Sequence, residues 1–219
     1  MAISYIGQAA AQDTSVTPPT HAAGDLFVAF ASRENNETPP DLPSGWTNIY
    51  DGGDSYSAFR CAYKVAASSS ETSGTWTNAY AMTLHVYRGV HATTPVGDFD
   101  NYPSGGSTLS YPALTLDVSD GTSWVVLFGS HNWGDGSTLD APSGYTNRSN
   151  AEGTQHTVGG HDSNGGVASY AGSSGGLTDG GWDRYKTFSL ELIMAPAAGG
   201  TLSVKQPFSR PFSGAFRGF

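Results

Sequence analysis

The sequence predicts an all-β chain: a jelly-roll-like β-sandwich built from two similar halves, followed by an extended C-terminal arm. Three observations predict it. Helical periodicity is nearly absent, because no window free of Gly and Pro carries apolar residues at i, i+3, i+4 and i+7. Short runs rich in aromatic and β-branched residues recur between clusters of Gly, Ser and Asp. Finally, one hexapeptide is written almost twice, PSGWTN from Pro43 to Asn48 and PSGYTN from Pro142 to Asn147.

The predicted strands are DLFVAFA (25–31), SAFRCAYKVA (57–66), YAMTLHVYR (80–88), LSYPALTL (109–116), SWVVLFG (123–129) and YKTFSLELIM (185–194). Several alternate with period two. In 80–88, Met82, Leu84 and Val86 share one face, and Thr83, His85 and Tyr87 the other. In 185–194, Phe188, Leu190 and Leu192 point one way, although the polar face is less clean. DGGDS, SSSETSG, NYPSGGS, NWGDGS and GSSGGLTDGG supply turns between them.

The hexapeptide belongs to a longer repeat. From Gly24 and from Gly121 the chain writes a hydrophobic strand, a polar loop, an acidic residue near a Pro, and then PSG-aromatic-Thr-Asn. Each copy continues through a second strand region, a Ser/Gly/Thr loop with a Trp (Trp76, Trp182) and a closing strand. A supersecondary unit that cannot bury its own apolar face pairs with its copy, which predicts two facing sheets over one core. The expected division is therefore a sandwich over 1–195, with halves of about 1–100 and 101–195, and an arm over 196–219.

The PSG element has a local reason. Pro43 and Pro142 restrict φ, Gly45 and Gly144 permit φ > 0, and together they predict tight turns. The next residue, Trp46 or Tyr145, can fold back and cap the core; this is the favoured reading. The alternative makes Trp46, Tyr145, Trp76 and Trp182 stacking platforms for sugar rings.

Charge and chemistry narrow the function. The chain has 219 residues and a net charge of −9, which argues against nucleic acid as the partner of its body. Charged residues make up 13%, about half the usual share. MAISYIGQAAAQ predicts no signal peptide, and no apolar run approaches the ~18 residues of a membrane helix. Cys61 sits alone in an alternating run and reads as a small buried hydrophobe. The six histidines form no ligand motif; His156 and His161, five apart, fall on opposite faces of a strand. The acidic Gly-rich loops at 51–54, 135–137, 162–166 and 179–183 read as β-turns and match no calcium-binding pattern. No GxSxG elbow stands between a strand and a helix. The expectation is a chain without catalytic residues, metal or cofactor.

The arm differs from the body. VKQPFSRPFSGAFRGF carries Phe208, Phe212, Phe216 and Phe219 with Lys205, Arg210 and Arg217 and no acid, leaving −12 on residues 1–195. Pro207 and Pro211 oppose a helix and favour an extended segment. Each buried Phe contributes roughly 1.5–3 kcal/mol, against about 1–2 kcal/mol per residue of ordering. One arm therefore docks weakly, and several held together gain from effective concentration.

The run GDLFVAF…PSGWT…YSAFRCAYKVA…ETSGTWT…LHVYRGVHATTPV, with its second WVVLFGS…PSGYTN, resembles a class of tailed-bacteriophage structural proteins. The likeness covers roughly residues 1–195. It implies a β-sandwich displayed on a virion, with other virion proteins of the capsid or tail as partners, and implies no catalytic residues. A homo-trimer suits the symmetry of such sites. The leading expectation is thus a non-enzymatic capsid decoration or cement protein anchored by its arm. The alternative is a tail or head-fibre subunit acting as a carbohydrate-binding module on a host-surface glycan.

Overall fold

In the computed structural model the described residues are 2–102, 108–132, 138–153, 156–177 and 184–196. They form twelve strands: β1 (Ser4–Ala11), β2 (Leu26–Glu34), β3 (Thr47–Gly53), β4 (Ser57–Val65), β5 (Ala81–Arg88), β6 (Val96–Tyr102), β7 (Leu109–Tyr111), β8 (Trp124–Asn132), β9 (Thr146–Glu152), β10 (His156–Asp162), β11 (Ser173–Gly175) and β12 (Arg184–Leu192). Two antiparallel five-stranded sheets run β1-β5-β2-β4-β3 and β6-β12-β8-β10-β9, and β11-β7 form a small third sheet.

The two orders are one topology written twice. Replacing β1, β2, β3, β4 and β5 by β6, β8, β9, β10 and β12 converts the first sheet into the second. The equivalence holds residue by residue at the bulges. β3 skips Ile49 against β4, and β9 skips Arg148 against β10, each directly after the Thr-Asn of the repeated hexapeptide. The register breaks fall only where the edge strands β1, β3, β6 and β9 meet their neighbours, while the four central pairings are regular. Bulges at sheet edges twist the strand and discourage further pairing. The all-β expectation holds. Its wiring is simpler than a jelly roll: the division falls just before β6, and among the described residues each sheet is drawn from one side of it.

The halves share one interior. Leu26, Val28, Phe30, Phe59 and Cys61 of the first sheet pack with Trp124, Val126, Phe128, Phe188, Leu190 and Leu192 of the second. Phe30 and Phe128, equivalent residues of β2 and β8, stack on each other with centroids 5.6 Å apart. Cys61 is fully buried, which pushes its thiol up, as expected of a core hydrophobe.

Each sheet is also covered on its outer face, so the central strands are buried on both sides. On the first, Phe27, Ala29, Met82, Leu84 and Val86 lie beneath Trp46, Trp76 and Leu42. On the second, Val125, Leu127 and Tyr185 lie beneath Leu109, Tyr111, Leu139 and Tyr170. Alternation in β5 therefore sorts two interiors: its apolar face meets loops, and its polar face, Thr83, His85 and Tyr87, meets the other sheet.

Both PSG turns close as expected. The Trp46 amide donates to the Pro43 carbonyl, and the Tyr145 amide to that of Pro142; Gly45 and Gly144 have φ of 84° and 83°. Gly144 has open space where a Cβ would sit, and Gly45 meets only the Lys64 side chain at 3.5 Å. Substitution there isolates the backbone term. Gly45→Ala and Gly144→Ala are each expected to cost about 1–2 kcal/mol in urea unfolding; an unchanged midpoint would show that the left-handed conformation is not required.

Candidate functional site

The edge strands face each other on two sides of the sandwich related by the duplication, β1 opposite β9, where Arg148 lies over Tyr5, and β3 opposite β6, where Tyr50 meets Phe99. The two sides have opposite chemistry.

On the first side a buried polar network joins the sheets. The hydroxyls of Thr83 and Ser149 are 2.7 Å apart, and His85 Nε2 lies 2.8 Å from Ser149 Oγ. His85 Nδ1 is 3.2 Å from the Tyr87 hydroxyl, which donates to Asp162 Oδ2 at 3.1 Å. Arg148, the bulged residue of β9, donates from Nε to the same carboxylate at 2.9 Å and lies over the Tyr5 ring at 4.1 Å. Gln12 adds a bond to the Ala151 carbonyl. Thr83, His85, Tyr87 and Asp162 are fully buried, and Ser149 nearly so.

A serine, a histidine and an acid are the residue types of nucleophilic acyl transfer, but here Tyr87 stands between the ring and the carboxylate. The electrostatics of the network are those of a structural weld. Burial, then His161 and Arg148, depress His85 to about 3, so at neutral pH its ring has little capacity to take the Ser149 proton. Burial and the Asp162 carboxylate hold the Tyr87 hydroxyl far above its usual value, as an obligate donor. Gly160 of β10 makes room for the imidazole; a Cβ there would stand 2.5 Å from His85 Cε1.

Other buried polar groups are likewise used to join segments. Glu191 of β12 accepts from the amides of Asp98, Asp117 and Val118 and from the Ser123 hydroxyl, at 2.6 to 3.1 Å, tying the start of β6 to the segment before β8. Lys186 pairs with Asp54 across the sandwich, and Ser32 bonds His156 Nε2. Asp25 forms a bidentate pair with Arg88, whose guanidinium and the Ala22 amide hold the carboxyl below its usual range despite burial. The acids of two turns considered for calcium, Asp54 and Asp162, are thus engaged by Lys186 and Arg148. Among the described residues no group of three or more His, Cys, Asp or Glu is placed to hold a metal ion.

On the second side the edges stay open. Tyr50 of β3 and Phe99 of β6 close the gap between the sheets over Phe188, with Tyr50 and Phe99 centroids 6.5 Å apart. Phe99 remains 38% exposed, and Tyr102, stacked on Tyr185 outside the second sheet, 43%. Asp51, Asp98 and Asp100 flank these rings. Sequence reasoning missed both sides, because β1, β3, β6 and β9 carry no strong strand pattern.

The aromatic residues expected as sugar platforms are distributed differently. Trp76 is fully buried and Trp46 is 7% exposed; both indole N–H groups donate to the Ser73 carbonyl, and the rings meet edge-on at 5.1 Å. A ring that stacks on a sugar must offer a face to solvent, so for these two the platform reading gives way to the core cap. Tyr145 is half-buried against Tyr170, 5.9 Å away, and burial pushes its hydroxyl up. Trp182 lies outside the described residues, as do Lys205, Phe208, Arg210, Phe212, Phe216, Arg217 and Phe219 of the arm. His156 and His161 fall on opposite faces of β10 as expected: His156 meets Ser32 of the first sheet, and His161 meets Tyr111 of the outer cover. No protein-family model, curated protein or solved structure matches the chain.

Proposed function

We propose that the chain is a non-enzymatic structural subunit of a tailed-bacteriophage virion, in the first place a capsid decoration protein held by residues 196–219. The observation that supports this reading is the use of polar groups within the fold. His85, His156, Asp162 and Lys186 join one sheet to the other, and Glu191 fastens the segment before β8 to its sheet, as suits a rigid block under mechanical load. The acidic body and the basic, Phe-rich arm divide the labour: the body faces outward and the arm grips other virion proteins, with trimeric clustering supplying avidity. Burial of Trp46 and Trp76 removes two of the four rings on which the glycan-binding fibre reading rested.

The test is incorporation into particles. A chain lacking residues 196–219 is expected to fold with an unchanged thermal transition and to be absent from purified virions. Full occupancy by the truncated chain would remove the anchoring role.

A further inference from the structure

We infer that the open side formed by β3 and β6 is the docking site for the C-terminal arm of a neighbouring copy of the chain. This deepens the proposed role by naming a partner that the arm grips; it rests on that reading only in treating residues 196–219 as the gripping element.

The two sides of the sandwich derive from one repeated unit, yet they are closed differently, and all four edge strands keep one flank free among the described residues. Where the first side has Ser149 bonded to Thr83 and His85 of the opposite sheet and Arg148 laid over Tyr5, the second has Ile49 and Tyr50, which pack on the apolar core. β3 and β6 each have a strand on one flank and, among the described residues, none on the other. A free strand edge is an association hazard that proteins manage with charge, and this one carries Asp98 and Asp100 on β6 and Asp51 on β3. Asp51 is paired with Arg60 and Asp98 accepts the Thr115 amide, but among the described residues no Lys or Arg forms an ion pair with Asp98 or Asp100. Such an edge repels the acidic body of another copy. It attracts an extended segment carrying three cations and no acid, and its half-exposed Phe99 and Tyr102 offer apolar contact to the arm's phenylalanines.

Chain length allows the arm to reach a neighbouring copy. The Ile193 amide donates to Pro95 and the Ala195 amide to Gly89, so the last described residues leave beside the start of β6. β6 has seven residues and runs roughly 23 Å from that point. Phe208 follows Pro196 by 12 residues, roughly 40 Å of extended chain, and Pro207 and Pro211 favour extension. A span of that length, if extended, exceeds the β6 edge and is long enough to reach a second copy.

The experiment uses the full-length protein as an equimolar mixture of unlabelled and nitrogen-15-labelled copies, coupled with a zero-length carbodiimide. Lys64 and Lys186 are paired with Glu71 and Asp54, which leaves Lys205 as the reporter on the arm. Light–heavy links from Lys205 to Asp98, Asp100 or Asp51 are expected, together with self-association in sedimentation that weakens at high salt. Asp100→Lys is expected to weaken that association at least tenfold without moving the thermal transition. Links confined to one isotope, links to other carboxylates, a monomer at all concentrations, or unchanged association of Asp100→Lys would each overturn the inference. The virion test separates the two ideas. Loss of incorporation without light–heavy links removes this inference alone, and links without loss of incorporation remove the anchoring role alone.

Discussion

Lowering the pH from 7.5 to 5 is expected to remove about 6 kcal/mol of folding stability, most of what a typical domain possesses. The cause is three histidines buried in the neutral form. His85 is held at about 3 between the sheets by burial, with His161 and Arg148 adding to the effect. His156, against Ser32 and Tyr80, is held at about 3 by burial and then by His131. Under the outer cover, burial brings His161 to about 4, and neither of its ring nitrogens has a hydrogen-bond partner among the described residues. In the unfolded chain each titrates near 6.5. The folded state therefore binds fewer protons than the unfolded state below 6.5, and stability falls as the pH drops from there toward 4. At pH 5 each histidine contributes about 2 kcal/mol, 1.5 pH units at 1.36 kcal/mol each. The paired carboxyls of Asp25 and Asp54 have lowered values, so their contributions decline only in more acidic solution. Guanidinium unfolding at intervals between pH 7.5 and 4.5 measures the slope, and His85→Asn should reduce it by about a third. A midpoint flat down to pH 5 would show that these rings are hydrated or charged in the native state.

Burial on two faces decides which strands the sequence displays. β2, β4, β5, β8 and β12 were legible because each lies inside a sheet covered on both faces and is therefore written in apolar and aromatic residues. β1, β3, β6 and β9 are edges with one flank open, and their mixtures of Gly, Ala, Asn and Asp resemble loops. Only the duplication could have revealed them, since PSGWTN and PSGYTN each lead directly into an edge strand with a bulge at the same place. The arrangement of the halves was readable from the repeat, whereas the sealing of one side was not. The network of Ser149, His85, Tyr87 and Asp162 draws on β5, β9 and β10, residues up to 77 positions apart whose meeting depends on how the sheets face each other. The open side was equally hidden: Phe99 and Tyr102 stand among acids and Asn in a segment with no strand pattern, and their exposure follows only from the position of β6 at the end of its sheet.

β10 is the informative exception, an inner strand written HTVGGHD, and it carries the second large prediction. Its neighbour-facing residues are small or polar because the opposite strand, β5, presents Thr83, His85 and Tyr87. At the place where β4 puts Cys61 beside Phe30, β10 puts Gly160 beside Phe128. A Cβ on Gly160 would lie 2.5 Å from His85 Cε1, 2.7 Å from its Nε2 and 2.8 Å from Phe128 Cδ1. The imidazole has nowhere to retreat, packed at 4.9 Å on the Phe128 ring and bonded at both nitrogens. Gly160→Ala is therefore expected to cost about 3 kcal/mol, the upper end of overpacking, because the displaced ring also loses Ser149 and Tyr87. Removing the ring removes the conflict. In a His85→Ala background the same substitution should cost under about 1 kcal/mol, a coupling of about 2 kcal/mol in a double-mutant cycle. Additive losses would mean that Gly160 is needed for its backbone or for Phe128, and that the His85 weld does not govern how the two sheets meet.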